Sequence, residues 1–358
     1  MRTGDFDYSL PAELIAQSPA PQRDQARLLV LCRADGRIDH RSFRDITEYL
    51  SAGDVLVLND SRVIPARLRG IKAGSGGQIE VLLAEEYGVN DWWAMLRPGK
   101  RARPGTKISF LNRRGRPADA SATVVEKNVE GFCRLQFSGT RNITESLESL
   151  GEVPLPPYLR RAAATAHTDH RERYQTVYAN PPGSVAAPTA GLHFTGALLE
   201  EIRARGIAVC FVTLHIGLGT FAPVKAEELE EHVMHEERYE ISAATAETIN
   251  AAKQANRRVI AVGTTTARVL ETVAAENQGR LVGGRGRTRI FIYPPWSFKM
   301  ADALLTNFHL PRSTLLMLVG AFAAPGETRG RDLILAAYAH AIGERYRFYS
   351  YGDAMLIL

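Results

Sequence analysis

Cysteine is scarce: three residues in 358, Cys32, Cys133 and Cys210. They are far apart, odd in number and never spaced as CxxC. That argues against a disulfide framework and a thiolate metal site, and fits buried, reduced thiols of a cytosolic protein. Long apolar runs are missing as well. The longest lies near residues 315–325, too short for a bilayer-spanning helix, and the first seventeen residues hold no apolar signal core. A cytoplasmic protein without membrane contact is expected. There is no GxGxxG and no GxxxxGK followed by Ser or Thr, so neither a dinucleotide fold nor a P-loop is supported. His232 and His235 stand beside Glu236, but no HExxH forms, and no metal is expected. No internal repeat is present.

What is present is an ordinary globular composition, 45% hydrophobic and 23% charged, with an uneven charge. Between Ser61 and Arg116 twelve basic residues face four acidic ones, an excess of eight; the whole chain carries +5, which leaves −3 for the remainder. One region is thus polarised toward a polyanion, for which nucleic acid is the usual partner.

The same region differs in pattern. QIEVLLAEE (78–86), DWWAML (91–96), TKISFL (106–111), SATVVEKN (121–128) and GFCRLQF (131–137) are short β-like runs separated by Gly, Pro, Asn and Arg, which suggests a small barrel or sandwich. On either side the chain alternates strand and helix. Apolar strands are expected at 51–60, 207–214, 258–263 and 290–293. Helices are expected after Thr195, over 243–255 and 264–276, after Ser313 and over 332–342. The alternation predicts an α/β main domain with a mostly parallel sheet over 1–60 and 151–358, carrying an inserted small all-β barrel over 61–150.

Five of the nine histidines lie in four short stretches: His193 in APTAGLHFT, His215 in VTLHIGLGTF and His309 in TNFHLPRSTL, each with Thr and Gly or Pro, and His232 and His235 in EEHVMHEERYEIS. Gly allows close backbone approach, Thr donates and accepts, and His carries a proton near neutral pH. Repetition of this mixture predicts loops converging on one polar pocket. RVIAVGTTTARVLE (258–271) is the clearest ligand geometry: a buried strand ends at Gly263, and Thr264, Thr265 and Thr266 open a helix with Arg268 one turn in. The free N–H donors of a helix N-terminus suit a carboxylate or phosphate. RERYQTVYA (171–179) offers Arg171, Arg173, Tyr174, Gln175 and Tyr178 for phosphates and base stacking.

These blocks, together with FDYSLPAELIAQSPAPQRDQARLLVL, NDSRVIPARL and IFIYPPWSFK, resemble the S-adenosylmethionine:tRNA ribosyltransferase-isomerase family of queuosine biosynthesis. The resemblance spans nearly the whole chain. Ser61 stands where Thr is usual, Arg289 where Asp is frequent, and Pro295-Trp296 in place of Gly-Tyr. The resemblance implies two substrates: S-adenosylmethionine, and tRNA whose wobble guanine has been replaced by 7-aminomethyl-7-deazaguanine. The ribosyl part is transferred and rearranged to epoxyqueuosine, with adenine and methionine released. It also implies no metal or redox cofactor. A monomer is expected.

The reaction needs proton carriers, so His193 and His215 are expected to be catalytic, with Asp353 or Asp60 orienting one of them. Thr189, Gly191, Gly217, Gly219, Thr220, Thr264, Thr265, Thr266, Arg268 and His309 are expected to bind substrate, Thr264–Thr266 with Arg268 taking the methionine carboxylate. Arg62, Arg67, Lys100, Arg101, Arg103, Arg171, Arg173 and Tyr174 are expected to contact tRNA. Two competing readings are a non-catalytic RNA-binding protein and a tRNA methyltransferase. The first leaves the His-rich loops without a purpose, and the second lacks a Gly-rich loop after the strand at 51–60.

Overall fold

The computed structural model describes residues 1–159, 170–217, 219 and 224–358. The chain opens with β1 (Arg27–Leu31), β2 (Ile38–Ser42) and β3 (Val55–Asn59). It continues through β4 (Arg62–Val63), β5 (Arg67–Lys72), β6 (Gln78–Gly88), β7 (Asp91–Arg97), β8 (Lys107–Leu111), β9 (Pro117–Lys127), β10 (Cys133–Ser138), α1 (Ile143–Leu150) and β11 (Gly151–Glu152). Then come α2 (His170–Arg173), β12 (Pro182–Ser184), α3 (Gly196–Ala204), β13 (Ala208–Leu214), β14 (Glu237–Ile241), α4 (Ala243–Gln254), β15 (Val259–Val262), α5 (Thr264–Glu276), β16 (Gly284–Thr288), β17 (Ala303–Asn307), α6 (Thr314–Ala323), α7 (Gly330–Gly343) and β18 (Ala354–Ile357). Two compact units result: Met1–Ser61 with Pro157–Pro181 and Ala187–Leu358, and Arg62–Pro156 with Pro182–Ala186.

The first unit is an α/β domain around a nine-stranded sheet of order β16-β14-β13-β3-β15-β17-β18-β1-β2. Its centre, β13-β3-β15-β17, is parallel, as is β18-β1; the remaining neighbours run antiparallel. The sequence explains the centre. VLVLN, VIAV and ALLTN are buried at every position, as strands covered on both faces require. Leu56, Leu58, Ile260, Val262 and Leu305 form one core with Phe43, Phe194, Leu198 and Ile202. The expected helix caps are in place: Thr195 Oγ1 accepts from Leu198 N and Ser313 Oγ from Leu316 N.

The second unit is a closed six-stranded antiparallel barrel, β5-β6-β7-β10-β9-β8, with β8 returning to pair with β5. Burial alternates along its strands, so Val81, Leu83, Trp92, Ile108, Phe110 and Leu135 fill the interior. Both expected parts of the fold are therefore present, but the sheet is mixed rather than mostly parallel: antiparallel β14, β16 and β2 extend its edges and β18 runs against β17. The other differences are local. The sixth barrel strand, RLRGIK, hides its period under three basic residues. The apolar run at 290–293 is not a strand; Phe291 packs against Tyr293 and the His232 ring, and the strand is the preceding GRGRT of β16. The three cysteines are free, but only Cys133 is buried; Cys32 and Cys210 are half-buried. No helix among the described residues is long and apolar enough to cross a membrane.

Candidate active site

The parallel strands β13, β3, β15 and β17 end along one edge, where an α/β sheet presents its ligands. Asn59, the last residue of β3, is fully buried and fastens this edge. Its Nδ2 donates to Leu214 O at 3.0 Å and Thr265 Oγ1 at 3.3 Å, while its Oδ1 accepts from Leu214 N and Ser61 N. One amide thus joins β3, the end of β13 and the start of α5. Asp60 follows. Its carboxylate accepts from Thr213 Oγ1 at 2.6 Å, and burial pushes its pKa up.

Gly263 turns β15 into α5 at φ 89°, a value that favours glycine, and provides no side-chain cap. The first turn therefore keeps its N–H groups for another acceptor. The three threonines do different things. Thr266 Oγ1 donates back to Val262 O at 2.8 Å, Thr265 Oγ1 receives Asn59, and Thr264 is buried at the helix start. Arg268 is 5% exposed and its Nη1 donates to Glu237. Glu237 Oε1 also accepts from Gly217 N at 3.1 Å, tying the loop after β13 to β14. Nε and Nη2 of Arg268 are buried without a partner. Such donors are costly to leave unmade, so this guanidinium edge is suited to an acceptor from outside the chain.

The segment Thr189–His193 packs against the same turn. A Cβ on Gly263 would lie 3.8 Å from Ala190 Cβ. A Cβ on Gly191 would sit 2.0 Å from Tyr178 Oη, so only glycine lets that ring approach. The Tyr178 hydroxyl is buried without a partner, and burial followed by the charge of Asp60 raises its pKa. Tyr178 thus closes on Gly191 and Ala190 on Gly263, with Asp60 near enough for its charge to act on the Tyr178 hydroxyl. Tyr178, which RERYQTVYA offers for base stacking, instead turns its hydroxyl inward against Gly191; that contact with a distant glycine is not visible in a polar segment.

His193 is 5% exposed and packs against Phe43, with ring centroids 4.9 Å apart and the rings tilted by 32°. Its Nε2 meets Asn307 Nδ2 at 3.2 Å, and the backbone of Arg23 provides a further hydrogen bond. Burial lowers its pKa to about 4. His215 is bound through its backbone to Arg238 O, but its Nδ1 is buried and unpartnered. Burial, then the Arg238 charge, lowers it to about 4 against the opposing Glu240. His309 is engaged by Thr306 Oγ1 at 2.8 Å, and burial lowers it to about 3. All three imidazoles are neutral at pH 7.

Several expected roles change. Asp353 does not orient a histidine; its carboxylate accepts backbone N–H from Arg27 and Arg347 at 3.0 and 2.8 Å, and burial raises its pKa. Asn307 holds His193 instead. Tyr174 is 1% exposed and offers no face to a base. Arg67 lies 3.9 Å from Glu80 and is largely covered, whereas Arg62, Lys100, Arg101 and Arg103 are exposed on the barrel unit. Arg171 is half-buried and Arg173 donates to Pro21 O and Ala20 O. Gly219 lies against the His235 ring, and Thr220 falls outside the described residues. Among the described residues no group of three or more His, Cys, Asp or Glu is placed to hold a metal ion.

Fold and site together define an α/β protein that gathers neutral imidazoles, hydroxyls and a buried guanidinium at the ends of parallel strands, with a separate basic barrel. The chain belongs to the family described as queuosine biosynthesis protein, whose model matches residues 3–357. It is 52% identical over 357 residues to the S-adenosylmethionine:tRNA ribosyltransferase-isomerase of Acetivibrio thermocellus and 49% identical over 358 residues to that of Desulforamulus reducens, each match covering 100% of both chains. The crystal structure of S-adenosylmethionine tRNA ribosyltransferase from Thermotoga maritima is similar with a TM-score of 0.55 and 38% identity, over 99% of this chain and 100% of that one.

Proposed function

We propose that this chain transfers the ribosyl moiety of S-adenosylmethionine to the aminomethyl nitrogen of 7-aminomethyl-7-deazaguanine at the wobble position of tRNA and rearranges it. The products are epoxyqueuosine in tRNA, adenine and methionine. The observation that carries this reading is the end-to-end similarity, at about half identity, to relatives bearing that enzyme name. We assign the reaction no metal or redox cofactor, since S-adenosylmethionine is itself consumed, and we take the working form to be a cytoplasmic monomer.

The strand-end residues suit the chemistry. A sulfonium acidifies the adjoining 5′ C–H, and a neutral His215 with a free Nδ1 is the group to take that proton. Asp60, its carboxyl pushed up by burial, is the second proton carrier, serving the attacking amine or the departing adenine. The Nε and Nη2 of Arg268, with the open start of α5, take the methionine carboxylate. His193, with partners on its ring, positions the neighbouring loop. Arg62, Lys100, Arg101 and Arg103 meet tRNA phosphates.

The test is to incubate the protein with S-adenosylmethionine and tRNA carrying the aminomethyl base, then quantify adenine and the modified nucleoside by mass spectrometry. One adenine per epoxyqueuosine is expected. Formation of S-adenosylhomocysteine would favour the methyltransferase reading, and tight tRNA binding without adenine release the binding-protein reading.

A further inference from the structure

A small polar recess within the α/β unit is lined in part by His193. Pro19, Ala20, Arg23, Arg173, His193 and Tyr351 are among its lining residues. Its cavity of ≈ 20 Å³ leaves room for one small group, since a single water needs about 10–15 Å³. A base or a whole amino acid does not fit; a charged oxygen does.

Its chemistry is one-sided. Arg23 donates from Nη1 to Leu192 O at 3.0 Å and from Nη2 to Glu172 O at 2.9 Å. Arg173 donates from Nη1 to Pro21 O at 3.1 Å and from Nη2 to Ala20 O, while its Nε is buried without a partner. Every one of these acceptors is a neutral carbonyl, and among the described residues neither guanidinium has a carboxylate within ion-pair distance. The two charges act on each other: burial and then Arg173 lower the Arg23 pKa, with Glu172 the weakest opposing influence. Two partly buried cations held side by side without an anion are unfavourable unless something completes them. Backbone bonds on both guanidiniums also fix their orientation before any ligand arrives.

We infer that Arg23 and Arg173 form a preset clamp for one oxyanion beside His193. Guanidinium forks match the planar and tetrahedral oxygens of carboxylate and phosphate. Two sources of that oxyanion follow from the proposed reaction, on which this part of the inference rests: a backbone phosphate of the tRNA near the reacting nucleotide, or the carboxylate of S-adenosylmethionine. The second would displace Arg268 from that role.

The test uses the full chain and two variants. Arg173→Gln removes one half of the clamp. Ala20→Glu leaves both arginines and their backbone bonds intact while placing a carboxylate at the rim, so a folding defect in the first does not obscure the second. Inorganic phosphate binding, followed by calorimetry, is expected to weaken about tenfold or more in both, at unchanged melting temperature for Ala20→Glu. Anticodon stem-loop RNA and S-adenosylmethionine are then titrated separately. Loss of RNA affinity alone assigns the clamp to a phosphate. Loss of S-adenosylmethionine affinity, with decarboxylated S-adenosylmethionine unaffected, assigns it to the carboxylate. Phosphate binding equal to wild type in folded Ala20→Glu overturns the clamp itself. Weakened phosphate binding with both substrates unaffected overturns only its use in this reaction.

Discussion

At His215 the decisive detail is one ring nitrogen. Its Nδ1 is buried and has no partner, whereas Asn307 occupies Nε2 of His193 and Thr306 that of His309. All three are pushed down by burial and are neutral at pH 7, so partner geometry rather than protonation separates them. Replacing His215 with Ala is expected to slow turnover of bound substrates by about 10²–10⁴-fold with little change in S-adenosylmethionine affinity. A single-turnover rate near wild type would remove it from the mechanism. The residue types were legible in the sequence, because His beside Thr with Gly or Pro is an uncommon mixture in three separate stretches. The pairing of Asp353 with the backbone N–H groups of Arg27 and Arg347, and of Arg268 with Glu237, was not, since Arg27 and Glu237 arrive from distant strands and the Arg347 contact depends on how the terminal turn closes.

Elements were legible where periodicity and caps agreed. The strand before Gly263, the helix after it, and the helices capped by Thr195 and Ser313 stand close to their expected positions, because buried β runs and Ser/Thr caps are local signals. β5 and β16 were not legible: RLRGIK and GRGRT owe their strand state to neighbours that pair with them. The short segment Thr189–His193 shows what the contact between elements demands. Gly191→Ala drives a methyl into Tyr178 Oη, and is expected to cost about 1–3 kcal/mol and most of the activity. Tyr178→Phe removes the nearest clashing atom, so the double variant should recover part of the lost stability in denaturant melts. Strictly additive losses would show that the two residues do not meet.

The pH response belongs to the whole molecule. His193, His215 and His309 have folded pKa values of about 4, 4 and 3, below the ordinary 6.5 that they regain on unfolding. Between those limits the unfolded chain binds more protons, so stability is lost as pH falls from about 6.5 toward 4, by roughly 1.4 kcal/mol per pH unit for each histidine fully in that window. Asp60 and Asp353 are raised by burial and act in the opposite sense, at the lower pH where carboxylates titrate. Thermal melts should be nearly flat above pH 7 and fall steeply below 6.5; a midpoint unchanged down to pH 4.5 would contradict the burial of these rings. The sequence by itself determined that the chain is α/β with a basic β insert, and which stretches bear proton carriers, because hydrophobic period, caps and local charge are short-range properties. Only the tertiary structure decided which nitrogen is free, which arginine is paired and which pair lacks an anion. Those outcomes depend on atoms brought together from opposite ends of the chain by a shared sheet edge, and no local pattern records them.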